Sequence, residues 1–162
     1  MKHTITLLAE NSLGCLVRIA GLFSGRGYNI DTITLGKSEE DGYVRMTLVT
    51  HGDDHIIEQI TKQLNRLVDV IKVVDLTEMP FVHRELALIK VSATPENRSE
   101  VMQIVEVFRA KIIDISPRTL TIEATGSVDK IEAIISMLRP FGLKEVARTG
   151  SVALKREFQG ET

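Results

Sequence analysis

Residues 5–23 read ITLLAENSLGCLVRIAGLF, and this stretch sets the fold of the first half of the chain. Ile5 and Leu7 alternate with threonines, which is the period of a half-buried strand. After the loop ENSLG (10–14), apolar residues recur at the i, i+3, i+4, i+7 spacing of an amphipathic helix. These residues are Leu16, Ile19, Ala20 and Phe23. The stretch therefore predicts a strand, a tight loop and a helix.

The residues that follow complete a unit of four strands and two helices. RGYN (26–29) ends the helix, with Gly27 suited to the left-handed conformation beyond the last turn. HGDD (51–54) is suited to cap a second helix, because Asp is favoured at that position. Two β-rich segments, the second helix and a final strand are predicted over residues 30–35, 43–49, 57–67 and 70–74. The order is βαββαβ by about residue 76.

The same order of elements starts again after TEMP (77–80). Residues 86–91 are predicted to form a strand, and Val101, Ile104, Val105 and Phe108 repeat the spacing of the first helix. A shorter hairpin, another helix and a last strand are predicted over residues 112–115, 120–124, 128–138 and 143–146. The predicted fold is α+β, with two ferredoxin-like βαββαβ units at residues 1–76 and 77–162.

Each unit is expected to carry both helices on one face of its sheet, since strand-helix-strand connections are right-handed. The other face is left open and favours packing against the second unit or a second chain. A dimer is the expectation.

Composition limits the function classes. The chain is 43% apolar and 26% charged with a formal charge of −2, so it is globular and has no general attraction for nucleic acid or anionic membranes. No apolar run is long enough to span a membrane, and Glu10 and Asn11 interrupt any signal-peptide core, so a cytoplasmic location is expected. The single Cys15 excludes an intrachain disulfide and is expected to be a buried thiol.

The loop ENSLG has two interpretations. The first N–H groups of a helix lack intrahelical acceptors, so the loop can bind a carboxylate, and Gly14 lets a ligand approach the backbone. Asn and Ser before a helix are also ordinary capping residues that need no ligand. Asn29 is equally open to both interpretations, as a turn residue or as a ligand-binding amide.

Four stretches resemble one family along nearly the whole chain. They are ENSLGCLVRIAGLFSGRGYNIDTITLG (10–36), KQLNRLVDVIKVVDL (62–76), RELALIKV (84–91) and EVARTGSVALKRE (145–157). Together they resemble the small regulatory subunit of acetohydroxyacid (acetolactate) synthase, whose N-terminal half is an ACT domain. The resemblance implies a non-catalytic partner that activates a thiamine-diphosphate enzyme and confers feedback inhibition by valine. It implies no cofactor in this chain; thiamine diphosphate, magnesium and FAD are expected on the catalytic subunit.

In this family two ACT domains pair across a symmetry axis and bind the effector between one chain's loop and the neighbour's second strand. The resemblance assigns effector contacts to Asn11, Leu13, Gly14 and Cys15 in the loop, and to Asn29 and Ile30 from the partner chain. The amide hydrogens of residues 13–15 are expected to be free for the effector. The loop ATPENR (93–98) lacks the N-x-x-G arrangement, so no second site of this type is expected.

Other functions are weighed against this one. HGDDH (51–55) has the spacing of a metal chelate but no third ligand, so a solvated helix cap is the preferred interpretation and no metal site is predicted. An RNA-binding βαββαβ module needs aromatic residues on its central strands, and IIDI (112–115) and LTIEA (120–124) have none. A phosphate-binding enzyme is disfavoured by the acidic start of ENSLG. A stand-alone amino-acid sensor that acts on another enzyme or a transcription factor stays the alternative.

Overall fold

A computed structural model describes residues 1–157, which form two compact units. The first unit comprises Met1–Val82 together with residues 151–157, and the second comprises His83–Gly150. Both are βαββαβ units, so the predicted α+β class is confirmed. The two units meet in sequence at Val82, and residues 151–157 return to the first unit. The division into functional domains 1–76 and 77–162 stays a prediction.

The first unit has four antiparallel strands and two helices. They are β1 (Lys2–Glu10), α1 (Cys15–Gly25), β2 (Ile30–Lys37), β3 (Tyr43–His51), α2 (Asp54–Asn65) and β4 (Val70–Asp75). The strand order is β2-β3-β1-β4, so β1 and β3 are central and β2 is an edge strand. Ile5, Leu7 and Met46 face the helices and pack with Ile19 and Phe23 in a fully buried core.

The ends of both helices follow the predicted sequence signals. Gly27 adopts φ +71° beyond the end of α1, in the left-handed region that glycine occupies without steric cost. The Asp53 carboxylate caps α2 by accepting the Ile56 N–H at 2.8 Å. The predicted capping role of HGDD is confirmed.

The second unit repeats the arrangement with a shorter hairpin. Its elements are β5 (Phe81–Ser92), α3 (Arg98–Val107), β6 (Lys111–Ile115), β7 (Thr119–Gly126), α4 (Val128–Leu138), a 3-10 turn (Arg139–Phe141) and β8 (Leu143–Arg148). The strand order is β6-β7-β5-β8. A buried carboxylate, Glu85, accepts from Arg148 Nε at 2.6 Å and from its Nη2 at 3.2 Å, which ties β5 to β8.

A ninth strand, β9 (Val152–Lys155), was not predicted from the sequence. It belongs to the first unit, where the Arg156 N–H donates to the Pro80 carbonyl at 2.9 Å. The Ala153 N–H donates to Thr47 Oγ1 at 3.3 Å, on the face of the first sheet opposite the helices. That face, expected to be open, is therefore partly covered by the chain itself.

Among the described residues, no helix is long and apolar enough to cross a membrane.

Candidate effector site

The loop between β1 and α1 is anchored by backbone hydrogen bonds. The Asn11 N–H donates to the Gly42 carbonyl at 2.8 Å, which joins the loop to the β2–β3 hairpin. The Ser12 N–H donates to the Glu10 carbonyl at 2.8 Å. Gly14 then adopts φ +86° and ψ 0°, a left-handed conformation that costs other residues about 1–2 kcal/mol. The loop therefore turns sharply into the helix at a position that requires glycine.

Four amides at the start of α1 are free of protein acceptors. Within residues 1–157, the N–H groups of Leu13, Gly14, Leu16 and Val17 have no hydrogen-bond acceptor. The Cys15 N–H donates to the Ser12 carbonyl at 3.2 Å, so the expectation that all three amides of residues 13–15 are free is wrong at Cys15. The cause is the tight turn that Gly14 makes, since it brings the Ser12 carbonyl back over the Cys15 amide.

No side chain caps this helix. Neither the Asn11 nor the Ser12 side chain accepts a hydrogen bond from an α1 amide, and α1 has no acidic residue in its first turn. Free N–H groups at a helix start carry partial positive charge, which suits an anion such as a carboxylate. The loop therefore does not cap α1 through its side chains, and these amides are available to a ligand.

A surface cavity of about 340 Å³ lies beside these amides. Its lining consists of residues 10–17 together with Leu35, Val44 and Met46. Val44 and Met46 are buried, whereas Leu13 is fully exposed and Leu35 is 48% exposed at the mouth. The cavity therefore offers polar N–H donors on one side and aliphatic surface on the other.

Arg18 and Asp69 hold the loop from outside, and sequence reasoning missed both. Arg18 Nε donates to Asp69 Oδ2 at 2.7 Å, and Arg18 Nη2 donates to the same carboxylate and, at 3.3 Å, to Ser12 Oγ. The Glu10 N–H donates to the Asp69 carbonyl at 2.7 Å. The Arg18 hydrogen bond lowers the pKa of Asp69 below its usual value. No local pattern signals this pair, because its members are far apart in sequence.

Cys15 is buried in the wall of the cavity, as predicted. Burial raises the pKa of its thiol, and the nearby Asp69 carboxylate raises this pKa further. The thiol therefore stays protonated near neutral pH and acts as a small apolar group rather than as a nucleophile.

Asn29 and Ile30 lie at the other end of β2 from this cavity. Ile30 aligns with Thr50 at the end of β3, whereas the effector loop follows Glu10, which aligns with Tyr43 at the start of β3. At about 3.3 Å per residue, the separation along the sheet is roughly 20 Å. Within one chain the structure therefore does not bring these two residues together with the loop.

The two histidines of HGDDH face different partners. His51 Nδ1 contacts the Asp31 carboxylate, and His55 Nε2 lies 3.2 Å from Gln59 Nε2. Among residues 1–157, no group of three or more His, Cys, Asp or Glu side chains is arranged to hold a metal ion.

The fold and the loop define the class of protein: the first unit is an ACT domain. Residues 5–72 match the family described as AHAS small subunit-like ACT domain, and residues 84–157 match the family described as small subunit of acetolactate synthase.

Known relatives match along the whole chain. The acetolactate synthase small subunit of Aquifex aeolicus is 55% identical over 97% of this chain and 82% of that protein. The Bacillus subtilis small subunit is 48% identical over 98% of this chain and 93% of that protein. The crystal structure of the Thermotoga maritima small subunit superposes with a TM-score of 0.88 at 45% identity, over 96% of this chain and 98% of that one. The chain belongs to the acetolactate synthase small subunit family.

Proposed function

We propose that this chain is the non-catalytic regulatory subunit of acetolactate synthase, which activates the catalytic subunit and makes it sensitive to valine. The observation that carries the proposal is the set of unpaired amides beside an aliphatic cavity in a member of this family. Thiamine diphosphate, magnesium and FAD belong to the catalytic subunit in this scheme. Assembly takes place in the cytoplasm.

Valine fits the chemistry of the cavity. Its carboxylate accepts hydrogen bonds from the free amides of Leu13 and Gly14 at the positive end of α1. The side-chain amide of Asn11 is exposed and has no partner within residues 1–157, so its oxygen is available to the α-ammonium group. The branched side chain packs on Val44 and Met46. Leucine and isoleucine differ from valine by one methylene, a difference of only about 1–3 kcal/mol in such a pocket.

A second copy of the chain completes the site. The edge strand β2 has hydrogen-bonding groups free along one side, and antiparallel pairing of two β2 strands across a two-fold axis is a common way to satisfy them. Antiparallel pairing sets the beginning of one β2 beside the end of the other. Asn29 of the partner subunit then lies near Leu35, which lines the effector cavity. This geometry accounts for the separation of Asn29 from the loop within one chain.

Inhibition follows from a shift between two arrangements of the dimer. Effector contacts from both chains stabilise one arrangement, and the catalytic subunit responds only if it distinguishes the two. A coupling free energy of about 1–3 kcal/mol changes the affinity by roughly 5- to 150-fold, which is enough for feedback. Residues 77–162 serve in binding or activating the catalytic subunit, and residues 1–76 in dimerisation and effector binding.

Reconstitution tests the proposal. The chain is mixed with an acetolactate synthase catalytic subunit, and acetolactate formation is measured with and without valine. We expect a faster rate on mixing and a loss of that rate when valine is added. Asn11→Ala abolishes the response to valine and preserves activation, whereas Asn65→Ala, an exposed asparagine on α2, changes neither.

Two outcomes would contradict the proposal. An unchanged rate on mixing would remove the activator function and favour a stand-alone sensor of another enzyme. Activation by the wild-type chain that valine does not reverse would remove the effector function while leaving the subunit assignment in place.

A further inference from the structure

A second surface cavity, of about 500 Å³, lies in the first unit and shares no residue with the effector cavity. It lies where the start of β1, the end of β4 and one side of α2 meet. Its lining consists of His3, Asp54, Ile57, Glu58, Thr61, Lys62, Asp75 and Glu78. We call it the His3 cavity.

The hydrogen bonds around His3 fix its Nδ1 as a donor. Nδ1 lies 3.0 Å from Asp75 Oδ2 and 3.3 Å from Thr77 Oγ1. The Thr77 hydroxyl donates to Asp75 Oδ1 at 2.6 Å and accepts the Thr4 N–H at 3.1 Å, so its hydrogen is already used. A carboxylate only accepts, so the hydrogen between the imidazole and Asp75 sits on Nδ1. In the neutral ring, Nε2 therefore carries a lone pair.

The other ring nitrogen of His3 has no hydrogen-bond partner within residues 1–157. The side chain is 96% buried, yet Nε2 forms no hydrogen bond there. The nearest charged group is the exposed carboxylate of Asp54, whose Oδ1 lies 3.3 Å from Nε2 without hydrogen-bond geometry. Two acceptors thus stand beside each other, and a buried polar atom left unpaired is costly. Nε2 itself has almost no accessible surface, but the Asp54 side chain beside it is 83% exposed and can turn outward, so a donor from outside the chain can enter between the two acceptors.

The charges around the cavity are mostly negative. Four carboxylates line it, and the only cationic side chain in its lining, Lys62, is paired with Glu58 at 3.0 Å. The hydrogen bond from Lys62 lowers the pKa of Glu58, so this carboxylate is ionised at neutral pH. Asp54, Asp75 and Glu78 remain to attract a cation from solution.

A bare metal ion does not fit this arrangement. Among the described residues, no three His, Cys, Asp or Glu side chains are close enough to coordinate one ion. An organic cation carries several N–H donors on a wider frame, so it reaches acceptors that are farther apart. Thr61 and the methylene groups of Lys62, adjacent on α2, also supply aliphatic surface for a hydrocarbon chain.

We propose that the His3 cavity binds an alkyl ammonium or alkyl guanidinium group, which turns the exposed Asp54 side chain outward, donates hydrogen bonds to His3 Nε2 and to Asp54, and lays its aliphatic chain on Thr61. A free small cation and a Lys or Arg side chain of the catalytic subunit present the same chemistry. The site is independent of the effector site and of the function proposed for it.

The test is a titration of the full-length chain with agmatine, which carries both cationic groups on a four-carbon chain. Calorimetry gives the affinity, and the ¹⁵N resonance of His3 Nε2 in a histidine-labelled sample reports the site. We expect saturable binding that moves this resonance and weakens with salt. Butanol, a neutral chain of the same length, has no effect.

Single substitutions test the contribution of each residue to agmatine binding. His3→Asn keeps an amide N–H to donate to Asp75 but lacks the second nitrogen, and it weakens agmatine binding about tenfold or more. Asp54→Asn weakens it roughly two- to fivefold, as expected for an exposed charge. Glu40→Gln removes an exposed charge elsewhere and leaves binding unchanged. Asn11→Ala, which removes an effector contact, also leaves it unchanged, so failure of either site is distinguishable from failure of the other.

Binding of agmatine to the complex with the catalytic subunit distinguishes a free small cation from a Lys or Arg side chain of that subunit as the occupant of the cavity. Agmatine that binds the chain alone and the complex equally identifies a free small cation as the occupant. Agmatine that binds the chain alone but is excluded from the complex identifies a side chain of the catalytic subunit. The proposal is overturned if millimolar agmatine leaves the His3 resonance unmoved, or if Mg²⁺ or Zn²⁺ moves it and agmatine does not.

Discussion

Replacing Gly14 with alanine tests whether the shape of the effector loop controls valine binding. Gly14 has φ +86°, so an L-residue there costs about 1–2 kcal/mol of unfolding free energy. For a chain of this size that lowers the melting temperature by roughly 2–8 °C. The new Cβ also lies 3.2 Å from Arg18 Nη1, so the guanidinium that holds Ser12 and Asp69 must move. The amides of Leu13 and Gly14 then lose their positions.

The loss in valine affinity follows from those amides. One hydrogen bond to a charged group contributes about 1.5–3 kcal/mol, so misplacing a single amide weakens valine binding roughly 10- to 100-fold. Calorimetry with valine measures the affinity, thermal unfolding measures stability, and the acetolactate assay measures inhibition. Gly14→Asp adds a carboxylate that competes for the same amides, and it abolishes the response to valine while preserving the fold and activation.

Gly27→Ala is the matched control. Gly27 also has a positive φ, +71°, but no heavy atom lies within 4 Å of a Cβ built there. It therefore carries the same backbone cost at the far end of α1, and we expect a similar drop in melting temperature with unchanged valine affinity. Equal valine affinity in Gly14→Ala and the wild type would refute the reasoning. Equal loss in both alanine variants would assign the effect to general destabilisation instead.

Three further predictions concern stability and reactivity. Glu85→Gln leaves the Arg148 guanidinium without its buried carboxylate, so it lowers the unfolding free energy by about 1–3 kcal/mol. Urea titrations measure this, and an unchanged midpoint of unfolding would show that the Glu85–Arg148 pair does not stabilise the fold. The Arg18 hydrogen bond holds the pKa of Asp69 below its usual 3.8 in the folded chain, so the ion pair stabilises the fold above that pH and is lost as the pH falls through the lowered pKa. The difference in unfolding free energy between the wild type and Asp69→Asn therefore narrows in acid, and a difference that does not narrow as the pH falls below 3.8 would contradict this. Cys15 is buried and has a raised pKa, so it reacts with iodoacetamide far more slowly in the native chain than in urea. Mass spectrometry of timed samples measures the two rates, and equal rates would show that the thiol is exposed.

Much of the fold is predictable from the sequence because its signals are local. The helical spacing of Leu16, Ile19 and Phe23 and the cap at Asp53 are both recognised from residues that are close together in the sequence. Strand β9 was missed because it is four residues long and its position depends on partners distant in sequence, such as Thr47.

The candidate site also has features that the sequence predicts and features that depend on the folded structure. The glycine turn and the free amides of Leu13 and Gly14 follow from the loop sequence, whereas the Cys15 amide is occupied because a turn closes on Ser12, a detail of backbone geometry. The contact between Arg18 and Asp69 depends on tertiary structure alone.

Each effector site in the function proposed above is built from two chains, and mixed dimers distinguish this arrangement from a site within one chain. Asn11→Ala and Asn29→Ala chains with different affinity tags are coexpressed, and the heterodimer is purified through both tags. In that dimer one site carries both substitutions and the other carries none. We predict that neither homodimer binds valine tightly and that the heterodimer binds one valine per two chains with wild-type affinity. A heterodimer that binds no better than its parents would contradict the claim.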